Sequence, residues 1–366
     1  MNKAGIYIHI PFCKSKCPYC DFYSMRLTDS AAEDYTASVI ERIAELKEKY
    51  PLSADTFYLG GGTPSIIGAE NIIKIVEAAK AFGSFCEITV ECNPSCVEDG
   101  FFEKVSAVGV NRISLGLQSA SDSERRSLGR LAGVKEAEKC IRSAQNAGIK
   151  NISLDVMIGI PNQTMESLDE TLTFCVNSGA VHISAYMLKL EEGTFFHKNQ
   201  SRLNLPDDDF TADAYLRMAS FLESKGFPQY EISNFSKKGF ESRHNMKYWL
   251  GAEYLGIGPA AHSFVGGKRF YFPRDIEYFM NGSEPVPDGT GGDIKEYIML
   301  RLRLKEGVRY DEIISRGFEN KIEEIKEKAA LFAQHGLARA DDGGFSLTPD
   351  GFLISNTIIE NITSIF

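Results

Sequence analysis

Three cysteines lie within eight residues near the start of this 366-residue chain: Cys13, Cys17 and Cys20. Their C-x3-C-x2-C spacing allows three thiolates from one short loop to bind a single iron-sulfur cluster. A four-iron cluster held by three thiolates keeps one iron without a protein ligand, and that iron is free to bind a reactant. The spacing therefore predicts a 4Fe-4S cluster with an open coordination position.

Disulfides and zinc are the other common uses of clustered cysteines. A disulfide framework is typical of short secreted chains, whereas this chain is long and has no apolar leader before Cys13. A structural zinc needs a fourth ligand, and the nearest candidate, His9, is separated from Cys13 by Pro11. The iron-sulfur cluster is therefore the preferred interpretation, and zinc remains the alternative.

The composition is that of a globular protein with enough apolar residues for a core, 43% hydrophobic and 25% charged. The formal net charge of −10 and the lack of a basic stripe argue against nucleic acid as a partner, because backbone phosphates would be repelled. The sequence has no run of roughly eighteen apolar residues, so we expect no membrane span and a cytoplasmic location.

Short apolar runs alternate with amphipathic segments over the first two thirds of the chain. Strands are predicted at residues 5–10, 56–59, 86–91, 112–115, 152–157 and 182–186, and the clearest helices at 31–49 and 69–82. Such units predict an α/β fold with a parallel sheet, either a partial (β/α)6 barrel or a doubly wound sheet. The active site is then expected at the carboxyl ends of the strands.

Polar and glycine residues occur where these strands end. The turn Gly60-Gly-Gly-Thr-Pro64 follows the second strand, Glu91 ends the third and Gln118 follows the fourth. Asp155 lies inside an otherwise apolar strand, where a carboxylate needs a partner or a function. The alternatives are a simple strand-ending turn for the glycines and a structural ion pair for Asp155.

Several longer motifs carry a family resemblance that extends over residues 5–264. The chain resembles the radical S-adenosylmethionine enzymes and, within them, the family of the oxygen-independent coproporphyrinogen III oxidase. The matching motifs are Ile6-Tyr-Ile-His-Ile-Pro-Phe-Cys13, Gly60-Gly-Gly-Thr-Pro64, Glu91-Cys-Asn-Pro94, Gly109-Val-Asn-Arg-Ile-Ser-Leu-Gly-Leu-Gln118, Gly159-Ile-Pro-Asn-Gln163, Tyr230-Glu-Ile-Ser-Asn-Phe235, His244-Asn-Met-Lys-Tyr-Trp249 and Leu255-Gly-Ile-Gly-Pro-Ala-Ala-His262. The ordered series is far more specific than any single motif.

The resemblance implies the partial radical SAM barrel, a 4Fe-4S cluster on the three cysteines and S-adenosylmethionine on the open iron. The demanding chemistry then belongs to the cofactors, while the protein supplies position and excludes water. The residues that the resemblance implies at the cofactor are Tyr7, Tyr19, Phe22, Gly61, Gly62, Thr63, Glu91, Gln118, Arg130 and Asp155. No catalytic residue is assigned.

Phe22 marks a departure from the oxidase. The oxidase has a further cysteine two positions beyond the third cluster ligand, and Phe22 stands at that place in this chain. This difference argues against decarboxylation of coproporphyrinogen, and the motifs are more similar to the HemW branch, which is implicated in haem handling. This branch implies a haem chaperone that passes haem to acceptor proteins, and the alternative is a radical enzyme that acts on coproporphyrinogen III or a related small molecule.

Haem as a cargo needs an axial ligand, an apolar wall and cations for its propionates. The candidates are His244, Tyr248 and Trp249, with Arg243 and Lys247 as the cations and His262 as a rival ligand. The structural alternative is that His244 braces a loop. The expected partners are a haem acceptor and an electron donor protein, with peripheral contact to a membrane-bound acceptor as an option.

The character of the sequence changes near residue 285. Three regions are predicted: the barrel over 1–225, a connecting segment with the His-Asn motif over 226–284, and a smaller, mainly α-helical domain over 285–366. Residues 283–292 are rich in proline and glycine and predict a linker. Short helices followed by a hairpin over 337–347 predict a winged-helix-like domain that serves as a lid or docks a partner rather than DNA.

Overall fold

The computed structural model describes residues 3–28, 30–130 and 132–366. Strands and helices alternate in its first half. The strands there are β1 (Ala4–Ile10), β2 (Phe12–Cys13), β3 (Met25–Arg26), β4 (Ala54–Gly61), β5 (Glu87–Cys92), β6 (Arg112–Gln118), β7 (Asn151–Ile158) and β8 (His182–Met187). The α-helices there are α1 (Ala31–Lys49), α2 (Ala69–Ala79), α3 (Phe101–Ala107), α4 (Asp122–Ser127), α5 (Val134–Asn146) and α6 (Met165–Asn177).

The following segment mixes short helices with antiparallel strands. Its helices are α7 (Phe195–Lys198), α8 (Asp208–Ser224), α9 (Arg243–Trp249) and α10 (Ile276–Met280). Its strands are β9 (Gln229–Glu231), β10 (Asn234–Ser236), β11 (Tyr254–Ile257), β12 (His262–Val265), β13 (Lys268–Tyr271) and β14 (Val286–Thr290).

One sheet runs through most of the described chain, in the order β14-β13-β12-β11-β1-β4-β5-β6-β7-β8-β10-β9. Its central strands β1 and β4 to β8 are parallel neighbours in chain order, and each overlaps one of the six predicted strands. The segment after α8 extends both sides of this core, because β10 pairs with β8 while β11 pairs in parallel with β1. The predicted α/β fold is confirmed.

The parallel strands alternate between two environments, as the period of two in a β-strand requires. Along β1, Ile6, Ile8 and Ile10 are fully buried in the hydrophobic core that also takes in the apolar face of α1. The side chains between them are Tyr7 and His9, which face the inside of the curved sheet and hydrogen-bond to each other. Aliphatic residues therefore hold the helices outside, and polar residues fill the interior.

The prediction of a linker at residues 283–292 is wrong, because this segment contains strand β14. This strand pairs with β13 at the edge of the sheet, with Tyr271 opposite Val286 and Phe270 opposite Pro287. Pro287 is tolerated because an edge strand leaves one side of its backbone unpaired. Proline and glycine content predicted a loop here, whereas the edge position allows the same residues in a strand.

The remaining chain has the element order of a winged helix: a helix, a strand, two helices and a β-hairpin. Its elements are α11 (Ile294–Arg301), β15 (Val308–Arg309), α12 (Tyr310–Ser315), α13 (Ile322–Gln334), β16 (Ala338–Asp341), β17 (Gly344–Leu347), α14 (Pro349–Leu353) and α15 (Ser355–Thr363). The hairpin turns as predicted, and the Asp341 carboxylate accepts the backbone N–H groups of Gly343 and Gly344.

Candidate cofactor-binding site

A cavity of about 350 Å³ lies at the carboxyl ends of the parallel strands, where a sheet of this kind places its ligands. The structure brings most of the predicted site residues together on its wall. Those that line it are Cys13, Cys17, Cys20, Tyr19, Phe22, Gly61, Gly62, Thr63, Glu91, Gln118, Arg130 and Asp155. Tyr7 lies behind this wall, with its ring centroid 6.1 Å from that of Tyr58.

The cysteine loop is fastened at both of its ends. Strands β2 and β3 pair in parallel, so that Cys13 lies opposite Arg26, and the Met25 N–H donates to the carbonyl of Pro11 at 2.8 Å. A turn closes the middle, where the Cys20 N–H donates to the Cys17 carbonyl at 3.1 Å. The three thiols are consequently held at one side of the cavity.

The donor set of this loop fits a cluster. All three thiols are free and partly buried, and the only close polar neighbour recorded for the Cys13 sulfur within the described residues is Thr63 Oγ1 at 3.5 Å. Three soft sulfur ligands beside an open cavity are the set that iron-sulfur clusters use. In the part of the chain that the structure describes, no three His, Cys, Asp or Glu side chains converge on one metal ion.

His9 ties the cysteine loop to the first strand. Burial lowers the pKa of His9 to about 4, so its ring is neutral near pH 7. Nε2 lies 2.9 Å from the carbonyl oxygen of Tyr23 and therefore donates to it, which leaves Nδ1 to accept from the Tyr7 hydroxyl at 3.1 Å. The sequence pattern indicated His9 only as a possible zinc ligand, and this role was missed.

The glycine turn is built for close approach of the backbone. Gly61 has φ +112°, and a Cβ on it would lie 2.6 Å from the His9 ring. A Cβ on Gly62 would lie 2.5 Å from the carbonyl oxygen of Phe12. Side chains are thus excluded at both positions, so the backbone of the turn itself lines the cavity, with its N–H groups already engaged by acceptors within the protein.

Glu91 and Asp155 project into the cavity from neighbouring parts of the sheet. Glu91 accepts from the Tyr58 hydroxyl at 2.7 Å and from the Gly61 N–H at 3.2 Å, and Asp155 accepts from the Ser114 hydroxyl at 3.0 Å. Burial raises the pKa of Glu91 to about 7 and that of Asp155 to about 6, and these hydrogen bonds oppose the rise. Each carboxyl keeps part of its surface open to the cavity, where it can accept from a hydroxyl or an ammonium group.

Gln118 ends β6, the strand between those that carry Glu91 and Asp155, and Arg130 lies beside the same strand. Gln118 has φ +69°, a strained conformation for a residue with a side chain, at an irregularity in the pairing of β6 with β7. The missing side chain of Gly116 makes room for the Gln118 amide and for the Arg130 guanidinium. Arg130 also donates to the Tyr19 hydroxyl at 3.2 and 3.3 Å, which ties the cysteine loop to this wall.

Helix α9 closes the bottom of the barrel and carries His244. The Glu87 carboxylate accepts the backbone N–H groups of Arg243 and His244 at 3.0 and 2.9 Å, which fixes the start of the helix. His244 is 1% exposed, and its two ring nitrogens lie 3.0 Å from Thr56 Oγ1 and 2.9 Å from the Tyr248 hydroxyl. Burial lowers its pKa to about 3, so the ring is neutral.

Of the other haem candidates, Tyr248 contacts His244, whereas Trp249 and His262 lie in other surroundings. Trp249, at the far end of α9, lines a small cavity with Tyr297 and Leu300 of the C-terminal domain. The His262 ring is exposed and stacks on Tyr271 with centroids 5.2 Å apart. Axial ligation of haem by any of them stays a prediction.

Several lining residues were missed in the sequence: Tyr58, Arg112, Ser114 and Asn245. The first three follow the alternation of the strands, in which every second residue faces the interior. That signal was present in the sequence, because Arg112 and Ser114 alternate with Ile113 and Leu115.

Comparison with known proteins is consistent with this site. Residues 7–175 match the radical SAM superfamily, and residues 293–354 match the HemN C-terminal domain. The fold is similar to that of coproporphyrinogen III oxidase (HemN) from Escherichia coli, described as a radical SAM enzyme, with a TM-score of 0.85 over 100% of this chain and 91% of that one. At 20% identity this likeness concerns the fold alone.

Curated relatives match over nearly the whole length. The chain is 33% identical to the haem chaperone HemW of Escherichia coli K12 over 97% of either chain. It is 31% identical to that of Bacillus subtilis 168, over 96% of this chain and 97% of the relative. A bovine mitochondrial radical S-adenosyl methionine domain-containing protein 1 is 34% identical over 81% of this chain and 64% of its own.

The fold and the cysteine-lined cavity define a radical S-adenosylmethionine protein with a HemN-type C-terminal domain. Within that class, the chain belongs to the HemW family. Membership of the class implies a 4Fe-4S cluster and S-adenosylmethionine, as predicted from the sequence.

Proposed function

We propose that this protein is a haem chaperone that binds a 4Fe-4S cluster, S-adenosylmethionine and haem, and delivers haem to acceptor proteins. The observation that carries the proposal is similarity to curated haem chaperones over nearly the full chain. The free thiols beside a cavity support its cofactor part.

In this proposal the cluster is held by Cys13, Cys17 and Cys20, and the cluster supplies an electron to S-adenosylmethionine when both are bound. The backbone of Gly61 and Gly62, with Thr63, holds the methionine end. The other contacts are divided by chemistry: carboxylates for ribose hydroxyls, amide and guanidinium groups for acceptor atoms, and aromatic rings as walls. They come from Tyr19, Phe22, Glu91, Gln118, Arg130 and Asp155, which line the cavity, and Tyr7 supports the aromatic wall from behind.

For haem we retain His244, with Tyr248 and Trp249, as the candidate site. Arg243 and Lys247 supply cations on the same helix for the propionates. Both ring nitrogens of His244 have partners, so ligation requires the Tyr248 hydroxyl or Thr56 to give way. Haem binding at this site therefore requires a local rearrangement around the His244 ring.

Substitution at His244 tests this part. His244→Ala should lose most of the haem absorbance on titration and keep the cluster, while His262→Ala, which removes the exposed rival, should bind haem as the wild type does. An unchanged haem titration of His244→Ala contradicts the assignment of His244 as the axial ligand. Loss of haem absorbance in His262→Ala would assign that role to His262 instead. Far-ultraviolet circular dichroism of both variants serves as the folding control.

A haem acceptor and an electron donor protein are the partners that the proposal requires. None of the helices within residues 3–28, 30–130 and 132–366 combines the length and apolar character needed to cross a membrane. We propose a cytoplasmic location with peripheral contact to a membrane-bound acceptor. The domain that we place at 285–366, after the barrel at 1–225 and a connecting segment at 226–284, is proposed to dock that partner.

The alternative function is a radical enzyme that acts on coproporphyrinogen III or a related small molecule. The observation that supports this alternative is the similarity of the fold to that of HemN. One anaerobically reconstituted sample separates the two. Haem transfer to an apo acceptor without coproporphyrinogen turnover supports the chaperone, whereas turnover without transfer contradicts it. Phe22→Cys, which restores the oxidase residue, is the matched variant for the turnover assay.

A further inference from the structure

A column of polar side chains runs through the interior of the barrel from its bottom to the cavity. The Tyr230 hydroxyl lies 2.8 Å from Nε2 of His182, and Nδ1 of His182 lies 2.7 Å from the Ser153 hydroxyl. The Ser153 hydroxyl in turn lies 3.3 Å from that of Ser184, which lines the cavity. His182 and Ser153 are fully buried, so the middle of the column is shielded from bulk water.

Alternation along the strands brings these side chains together. Ser153 on β7 and His182 on β8 are direct partners in the pairing of the two strands, and Asp155 and Ser184 are the next pair toward the cavity. Ile183, between the two β8 residues, is fully buried in the hydrophobic core on the other face of the sheet. Neighbouring strands lie about 4.8 Å apart, so the side chains of each pair are adjacent on the inner face.

The position of the hydrogen on the His182 ring follows from the partners of Tyr230. Burial lowers the pKa of His182 well below its ordinary value, so the ring is neutral and carries a single N–H near pH 7. The Tyr230 hydroxyl already accepts from the Ser242 N–H at 3.2 Å, and His182 is the one acceptor recorded for its own hydrogen within the described residues. Tyr230 therefore donates to Nε2, and the ring hydrogen is on Nδ1.

This hydrogen determines the direction of the remaining hydrogen bonds. Nδ1 donates to the Ser153 oxygen, so the Ser153 hydrogen is left for the Ser184 oxygen, its other recorded neighbour in the described part of the chain. Ser184 then accepts from within the column and directs its own hydrogen toward the cavity wall that it shares with Asp155. The column thus presents a hydroxyl donor to the cavity.

Ser184 and Asp155 form an adjacent donor and acceptor. Burial raises the pKa of Asp155 to about 6, and the Ser114 and Ser184 hydroxyls are among the groups that oppose the rise. Asp155 accepts from Ser114 at 3.0 Å and keeps further capacity to accept. A ligand hydroxyl can donate to the carboxylate and accept from Ser184 at the same time, whereas an ammonium group has no lone pair with which to accept. The pair therefore suits a hydroxyl, and S-adenosylmethionine has two on its ribose.

We propose that Ser184 is a further cofactor-binding residue of this cavity and that, together with Asp155, it binds a ribose hydroxyl of S-adenosylmethionine. His182 is a positioning residue, because it acts through Ser153 on the direction of the Ser184 hydrogen. The inference rests on the cofactor part of the proposed function and is independent of haem transfer.

Calorimetric titration of the reconstituted protein tests the contact with three ligands: S-adenosylmethionine and its analogues without the 2′- or the 3′-hydroxyl. Ser184→Ala should lower the affinity for S-adenosylmethionine about fivefold. For the analogue that lacks the contacted hydroxyl, the same substitution should change the affinity by less than about twofold. Ser236→Ala is the matched control and should leave every affinity unchanged, because this buried hydroxyl on β10 lies outside the cavity and has no partner within the described residues.

Nitrogen-15 NMR of the imidazole rings tests the column. His182 should carry its hydrogen on Nδ1, whereas His9, which donates through Nε2, is the internal reference for the opposite form. His182→Asn should keep the affinity for S-adenosylmethionine, because its side-chain N–H takes the place of that on Nδ1. His182→Leu should lower the affinity about threefold, because the Ser153 oxygen then competes for the Ser184 hydrogen.

Three results would overturn the inference: an equal loss for all three ligands in Ser184→Ala, which indicates a structural role, no loss for any of them, or a ring hydrogen on Nε2 of His182. If His182→Leu does not fold, Ser184→Ala and the nitrogen-15 spectrum of the wild type decide. Failure of the wild type to bind S-adenosylmethionine would instead contradict the cofactor part of the proposed function.

Discussion

The two ends of the barrel interior use similar polar residues in opposite ways. At the bottom, polar groups satisfy one another: Glu87 caps α9, His244 has a partner at each nitrogen, and the Tyr230 hydroxyl bonds both His182 and the Ser242 N–H. At the top, the three thiols are free, and Glu91 and Asp155 keep surface toward the cavity.

The polar residues at the bottom therefore close the barrel interior, whereas those at the top are available to bind a ligand. A buried polar group whose partners are all in the protein stabilises the fold, whereas a group with unused capacity beside a cavity is available to a ligand. Changes at the top are therefore expected to cost cofactor binding, and changes at the bottom to cost stability. The following substitutions test that division.

The largest effect is expected at the cysteine loop. Cys17→Ala removes one of three cluster ligands, so iron and sulfide content and the cluster absorbance should fall almost to the background after anaerobic reconstitution. Cys175→Ala is the matched control, because this thiol is fully buried in α6, away from the cavity, and should leave the iron content unchanged. A full cluster in Cys17→Ala would contradict the assignment of the loop.

The glycine turn should give the next largest effect. Gly61→Ala places a methyl group 2.6 Å from the His9 ring at φ +112°, so the turn must move away from both His9 and Glu91. We expect affinity for S-adenosylmethionine to fall at least about thirtyfold, equivalent to about 2 kcal/mol of strain and lost contact.

Gly68→Ala is the control for backbone strain alone. Gly68 also has positive φ, +79°, but a Cβ there meets nothing within 4 Å. It should lower the melting temperature slightly and leave the affinity unchanged. Equal loss of affinity in both variants would show that strain, rather than the close approach of the turn, is responsible.

The sequence predicts those features that depend on interactions between residues close in the chain. It does not predict those that depend on contacts between distant segments. The strands and α1 were predictable because local alternation and helical spacing determine them, and the cysteine spacing by itself indicated the cluster. Strand β14 was missed because its pairing partner, β13, and its edge position are properties of the sheet rather than of the segment.

The two roles of the interior polar residues were harder to predict. Asp155 and His244 are both unusual in the sequence, but only the fold shows that His244 faces Thr56 while Asp155 faces a cavity. Arg112 was passed over because an arginine at the start of a strand is ordinary in a sequence. Its lack of a partner within the described residues becomes visible only when β4 to β9 surround it.

At the bottom, Glu87→Gln should cost stability and spare binding. The amide can accept from only one of the two α9 N–H groups and turns a donor toward the other, so the free energy of unfolding should fall by about 1.5 kcal/mol. Glu136→Gln is the control, because Glu136 also accepts a backbone N–H at the start of a helix but is exposed. The melting temperature of this variant should fall less than that of Glu87→Gln. A loss of S-adenosylmethionine affinity in Glu87→Gln without a loss of stability would break the division.

The smallest effect, and the sharpest test, is expected at Tyr58, which touches both ends. Its hydroxyl donates to Glu91 at 2.7 Å, and its ring lies 5.2 Å from that of His244. Tyr58→Phe keeps the ring and removes the donor that opposes protonation of Glu91, so the pKa of Glu91 should rise above about 7.

Affinity for S-adenosylmethionine should then fall about fivefold at pH 7, equivalent to about 1 kcal/mol, and less at pH 8.5, where the carboxyl ionises again. Unfolding free energy should change little, because a protonated Glu91 tolerates burial better than an ionised one. Calorimetric titration and denaturant unfolding of the same preparation measure the two quantities. Lower stability with unchanged affinity would assign Tyr58 to the closed end of the barrel, and the boundary between closure and binding would then lie at Glu91 itself.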